Sequence, residues 1–173
     1  MVRSHLEAVL PAITRFALVL TRSRSDSDDL VQMTCERALS RSSQWQPDTR
    51  LQSWLFRIMH SIWINELRSR RMRLSYRNNP EPIITVNDGE RDTESKLELR
   101  RVEERVSRLP ETERLVLLLV CVEGLTYRET ADVLCIPIGT VMSRLARARL
   151  HLAELSEIRT SDTDTANIHR LRK

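Results

Sequence analysis

Apolar residues recur at three- and four-residue spacing in one segment of this chain after another, and that period fits amphipathic helices better than any other element. Leu6, Val9, Leu10, Ile13, Phe16, Ala17 and Leu20 form a first stripe. Leu30, Val31, Thr34, Cys35, Ala38 and Leu39 form a second, and Leu51, Trp54, Leu55, Ile58, Met59 and Ile62 a third. Leu99, Val102, Val106 and Leu109 then precede the apolar run Leu115–Val122. Ile138, Val141, Leu145, Ala148 and Leu152 close the series. Only three glycines and 4% aromatics in 173 residues argue against a sandwich, a barrel or a Gly-rich phosphate-binding fold. A mostly helical protein is predicted.

Capping residues divide the stripes. Asp26 is placed to cap the second helix, with Asp28 and Asp29 in its first turn. Thr49-Arg50-Leu51-Gln52, after a turn at Pro47, reads as a capping box for the third. Thr93 can cap the next helix, and Pro110 with Glu111 and Glu113 suits a further helix start, which Gly124 is placed to end. Thr126-Tyr127-Arg128-Glu129 is a second capping box, opening a short helix to about Leu134. Cys135-Ile136-Pro137 makes a turn into a basic helix from Ile138 to about Leu155, which together spell a helix-turn-helix.

Charge is distributed in blocks. Residues 50–77 carry seven arginines and one acid, residues 81–104 eight acids and four bases, and residues 138–152 three arginines and no acid. Two basic blocks separated by an acidic stretch fit a polyanion touched at two places. On the third helix Ser53, Arg57, His60, Ser61, Ile64, Arg68 and Arg71 lie opposite the core stripe, flanked by Phe56, Trp63 and Leu67. Arginines beside rings suit a single-stranded nucleic acid, since one neutralises phosphates while the other stacks on bases. Trp54 reads as packed; Trp63 fits either packing or stacking.

On the last helix Thr140, Ser143, Ala146 and Arg147 point outward, with Met142 and Arg144 on the flanks. Small residues there let a helix lie deep in a major groove, where Arg147 can pair with guanine. Gly139 permits close backbone approach. On the second helix Asp29, Gln32, Met33, Glu36 and Ser40 form the outer face, and Met33 points to a partner surface.

Cys35, Cys121 and Cys135 have no metal-ligand spacing and read as buried thiols. No nucleophile–base pair, phosphate loop or metal cluster is legible, so a non-enzyme without cofactors is expected. His151 has Glu154 at helical spacing, a surface pair. No run is long enough to span a bilayer and no secretory pattern opens the chain, so a soluble cytoplasmic protein is expected.

Three segments, Asp28-Asp29-Leu30-Val31-Gln32, Ser53-Trp54-Leu55-Phe56-Arg57-Ile58 and Trp63-Ile64-Asn65-Glu66-Leu67-Arg68, resemble region 2 of bacterial extracytoplasmic-function (group 4) sigma factors. Glu123-Gly124-Leu125-Thr126-Tyr127, with Ile136-Pro137-Ile138-Gly139-Thr140-Val141-Met142-Ser143-Arg144-Leu145-Ala146-Arg147-Ala148-Arg149, is similar to their region 4. The likeness covers about residues 8–73 and 96–155, in family order. It implies an all-α fold of two small helical domains, residues 1–73 and 93–155, with a flexible linker at 74–92 and a polar tail at 156–173.

The resemblance also implies roles. Asp29, Leu30, Gln32, Met33 and Glu36 would dock on the β′ clamp helices of core RNA polymerase. Arg57, Ser61, Trp63, Asn65, Arg68 and Arg71 would read and open the −10 promoter element. Thr126, Arg128, Thr140, Met142, Ser143, Arg144, Ala146 and Arg147 would read the −35 element. An anti-sigma factor is an implied partner. The chain departs from the family at Met33, usually acidic, at Ser61 and Asn65, commonly Asn and Asp, and at Met142, often polar or basic.

Two other classes use the same residues: a dimeric operator-binding regulator, and an interaction module that sequesters one. A dimer needs a self-complementary surface, and no heptad pattern offers it.

Overall fold

The computed structural model describes residues 2–76, 102 and 104–170. Helix α1, Val2–Thr21, buries Leu6, Ile13, Phe16, Ala17 and Leu20 but leaves Leu10 exposed. Arg22 turns left-handed at φ 56° and its amide returns to the Leu18 carbonyl, which stops α1. Helix α2, Arg24–Ser40, is capped by Ser23, whose hydroxyl accepts from the Asp26 amide at 3.3 Å. The expected cap Asp26 instead sits inside the first turn, where its carboxylate meets Arg70 at 3.4 Å.

Helix α3, Leu51–Tyr76, crosses both earlier helices and completes a three-helix bundle. Leu51, Leu55, Phe56, Met59, Ile62 and Trp63 are buried, and the Phe16 and Phe56 rings pack at 4.7 Å between centroids. The box expected at Thr49–Gln52 does not form: the Thr49 hydroxyl donates to the Gln46 carbonyl and Gln52 reaches Glu123. Helix α3 also runs through residues 74–76, which the linker was expected to occupy; residues 77–92 lie outside the described part, as do Thr93 and Leu99.

The C-terminal half starts with helical residues 104–108 and helix α4, Glu111–Leu117, which Pro110 precedes as its N-cap rather than entering its first turn. Helix α4 widens into a π turn, Leu118–Val122. Gly124 at φ +65° then reverses the chain, a conformation a Cβ would strain, and the Leu125 amide reaches back to the Leu119 carbonyl at 2.9 Å. Helix α5, Tyr127–Leu134, begins with the expected capping box of Thr126 and Glu129. Cys135, left-handed at φ 52°, makes the turn.

Helix α6, Ile138–Arg170, buries Val141, Leu145 and Ala148 against α4 and α5. Ile138, expected inside, is exposed, and the helix continues past the expected end near Leu155 into the polar tail. His151 does not pair with Glu154: its Nδ1 lies 2.7 Å from the buried carboxylate of Glu113 and ties α6 to α4.

The two helical domains pack on each other, α3 against α5 and α1 against α4, and share one hydrophobic cluster. No helix among the described residues is long and apolar enough to cross a membrane.

Candidate nucleic-acid and partner interfaces

About two turns of α2 present one mostly polar row. Asp29, Gln32, Met33 and Glu36 are exposed, with Gln32 Nε2 donating to Glu36 Oε1 at 2.9 Å and Met33 bare between them. Leu30 does not belong to this row. It is 2% exposed and packs into the bundle, because α1 and α3 together cover that arc of α2. Leu39, placed on the core side by periodicity, is exposed.

On α3 the exposed arginines do not share their face with an open ring. Arg57, Ser61, Asn65, Arg68 and Arg71 are exposed. Trp63 is 7% exposed, its indole N–H has no hydrogen-bond partner, and the Arg70 guanidinium covers its ring at 5.6 Å from the centroid. As it stands Trp63 offers no stacking platform. Trp54, expected to pack, does rest against the core but is only partly buried, and it lines a cleft of about 760 Å³ with Arg37, Arg41, Arg57, Ile58 and Ser61. Arg37 and Arg41 escaped the sequence reading, although their four-residue spacing on and beyond α2 was a visible signal.

The opposite wall of this cleft belongs to α5, through Glu129, Asp132 and Val133. Arg37, Arg41, Arg50 and Arg57 therefore face Glu129 and Asp132 across the domain boundary, with Asp48 also in the lining. At the floor of that boundary sits Glu123, its side chain 3% exposed. Arg15 donates to it from Nε at 2.9 Å and Nη2 at 3.2 Å, and Gln52 Nε2 adds a third bond at 2.7 Å. Arg50 Nη1 donates to the Gly124 carbonyl at 2.9 Å and stands 3.8 Å from Glu129. A buried carboxylate is tolerated only when paired and hydrogen-bonded, and residues from α1 and α3 supply both conditions.

Glu129 joins this contact to the start of the helix-turn-helix. Burial pushes its carboxyl up, but bonds from the Thr126 amide and hydroxyl, the charge of Arg50 and the Ser53 hydroxyl outweigh it, leaving its pKa below the usual value. Thr126 is thereby committed to capping α5, with its hydroxyl 2.8 Å from Glu129 Oε2.

Along α6 the outer side is open. Met142, Ser143, Ala146 and Arg147 are exposed, Thr140 and Arg144 are partly buried, and Arg128 on α5 is exposed nearby in the sequence of the motif. The Ser143 hydroxyl donates to the Thr140 carbonyl at 3.1 Å, and Arg147 Nε lies back on the Ser143 carbonyl at 3.4 Å. A Cβ built on Gly139 meets nothing within 4 Å, so packing within the chain does not demand glycine there.

Of the cysteines expected to be buried, Cys121 and Cys135 are exposed, on the π turn and in the helix-turn-helix turn, and Cys35 is partly buried. Burial, then the charge of Glu36, raises the Cys35 thiol pKa and disfavours its thiolate. Among the described residues no group of His, Cys, Asp and Glu is placed to hold a metal ion.

Comparison with known proteins follows the same division. The family described as Sigma-70, region 4 matches residues 99–152, and the Sigma2 domain of PhyR matches residues 6–60. The ECF RNA polymerase sigma factor EcfG of Rhodopseudomonas palustris is 31% identical over 153 residues, 88% of this chain and 83% of that protein. SigM of Mycobacterium tuberculosis is 30% identical over 141 residues, 82% of this chain and 69% of that one. Among solved structures, the sigma factor RpoE of Bartonella quintana, in complex with the anti-sigma factor NepR, superposes with a TM-score of 0.77 at 26% identity, covering 90% of this chain and 96% of that one.

Proposed function

Because the chain belongs to the ECF RNA polymerase sigma factors, 31% identical to one of them over most of both lengths, we propose a division of its surface among polymerase, promoter and inhibitor. As a sigma factor it binds core RNA polymerase and directs promoter-specific initiation. The polymerase contact falls on Asp29, Gln32, Met33 and Glu36, the exposed row of α2. Arg57, Ser61, Asn65, Arg68 and Arg71 take the −10 element, with Trp54 in the aromatic role first assigned to Trp63. The −35 element falls to the outer side of α6, with Arg128 and the amides at the start of α6 beside Gly139 on flanking phosphates.

One observation carries this reading: a single chain presents an exposed polar row on α2 and, in the other domain, a basic recognition helix whose outer face no described residue covers. Control by an anti-sigma factor is supported by the likeness to RpoE, solved with NepR. The cleft between the domains is where such a partner reaches both domains at once. No covalent chemistry is assigned to the chain.

The test is co-migration. Purified protein mixed with core polymerase should elute with it in gel filtration, and promoter DNA should be retained only by that mixture. Tight binding of DNA by the chain alone would support the operator-binding regulator instead.

A further inference from the structure

The exposed side of α6 is not uniformly polar. Ile138 is 46% exposed, Met142 48% and Leu150 62%, and Ala146 lies exposed between them. These four residues follow one another at four-residue steps, so they form a single row along the helix. Nothing among the described residues covers it, although the buried side of the same helix, Val141, Leu145 and Ala148, is enclosed. Arg147 and Arg149 border the row, residues 138–152 contain no acid, and the exposed Glu154 stands one four-residue step beyond Leu150.

An apolar row flanked by Arg147, Arg149 and the Ser143 hydroxyl, with no acid before Glu154, is poorly matched to an apolar protein groove, which would have to desolvate the guanidinium groups. It is well matched to the major groove of duplex DNA. There phosphates line the rim, while the thymine methyl is the apolar group displayed on the floor.

We propose that Met142 and Ala146, with Ile138 at the groove entrance, read thymine methyl groups in the upstream promoter element. This inference rests on the assignment of α6 as the promoter-reading helix. Specificity at those positions then comes from methyl contact, while Arg147 and Ser143 supply hydrogen bonds beside it. Met142 suits the task because an unbranched thioether adapts its shape to a methyl without requiring a polar partner.

The experiment uses holoenzyme, assembled from core polymerase and the full chain, on a promoter selected from a genomic library. Each thymine in the upstream footprint is replaced singly by deoxyuridine, which removes the methyl and leaves base pairing intact. Wild-type holoenzyme should lose affinity about fourfold at one or two positions, the equivalent of one methyl group left unburied. Met142→Gln, similar in length and exposed in the fold, should bind thymine and deoxyuridine promoters equally at one of those positions. Silence at every thymine, a footprint without thymine, or unchanged discrimination by the variant overturns the proposal. If holoenzyme leaves no upstream footprint at all, the assignment of α6 fails first, which separates the two outcomes.

Discussion

The guanidinium of Arg15 grips both carboxylate oxygens of Glu123, at 2.9 and 3.2 Å, and so links α1 of the first domain to the end of the π turn in the second. Glu123 is enclosed while Arg15 is half in solvent, so the pair carries an unequal cost: losing Arg15 strands a buried charge, whereas losing Glu123 returns an arginine to water.

Arg15→Ala should therefore destabilise the chain by about 1–3 kcal/mol in chemical denaturation, and Glu123→Gln by less. The double variant should cost clearly less than the two single losses added. Strict additivity would show that the pair does not couple the domains.

Acid should weaken the start of the helix-turn-helix. Glu129 has a folded pKa below the ordinary carboxyl value, so its contribution is complete above about pH 4.3 and disappears as pH falls through the lower folded value. His60, whose burial lowers its pKa, works in a higher window: the stability it leaves intact above about pH 6.5 is lost as the unfolded chain takes up a proton below that value. Denaturation midpoints measured from neutral to acid pH should fall in two steps. Glu129→Gln should flatten the lower step and His60→Gln the upper one.

Leu30 and its neighbours on α2 should divide cleanly. Leu30→Ala should cost about 2–5 kcal/mol, as a fully buried leucine does. Asp29→Ala with Gln32→Ala should leave the melting temperature nearly unchanged and abolish co-elution with core polymerase. Retained co-elution would move the docking surface elsewhere.

The two tryptophans of α3 should differ, with Trp63, which the sequence left open between packing and stacking, acting as a packed residue. Trp63→Ala should cost about 3–5 kcal/mol because its ring is enclosed under Arg70. Trp54→Ala should cost less and reduce permanganate reactivity of the melted strand at equal promoter occupancy. Normal strand opening by this variant would remove Trp54 from the promoter surface.

Gly139 should be replaceable as far as folding is concerned. Alanine there meets open space and gains helix propensity, so stability should rise by up to about 1 kcal/mol. Promoter affinity should nevertheless fall, since a methyl then stands where the helix start approaches the DNA backbone. Arg147→Ala should lose about 1–3 kcal/mol at one base position; a loss uniform across sequences would make it a phosphate contact.

What the sequence determined by itself was local. The Thr126–Glu129 box closes within one helical turn, Gly124 needs only its own φ, and three- and four-residue apolar spacing specifies a helix wherever it occurs. From such signals the helical class, the helix-turn-helix and the outer faces of α2 and α6 were all legible. Tertiary structure decided which arc of each helix its neighbours cover. Periodicity gives a face but not its width: α1 and α2 both lean on α3, which drew Phe56 and Trp63 inside and left Trp54 at the cleft, while Leu10 and Leu39 stayed in solvent. The Arg15–Glu123 and Glu113–His151 pairs were out of reach for the same reason, since their partners are 108 and 38 residues apart. Only the packing of one helix on another brings such groups together.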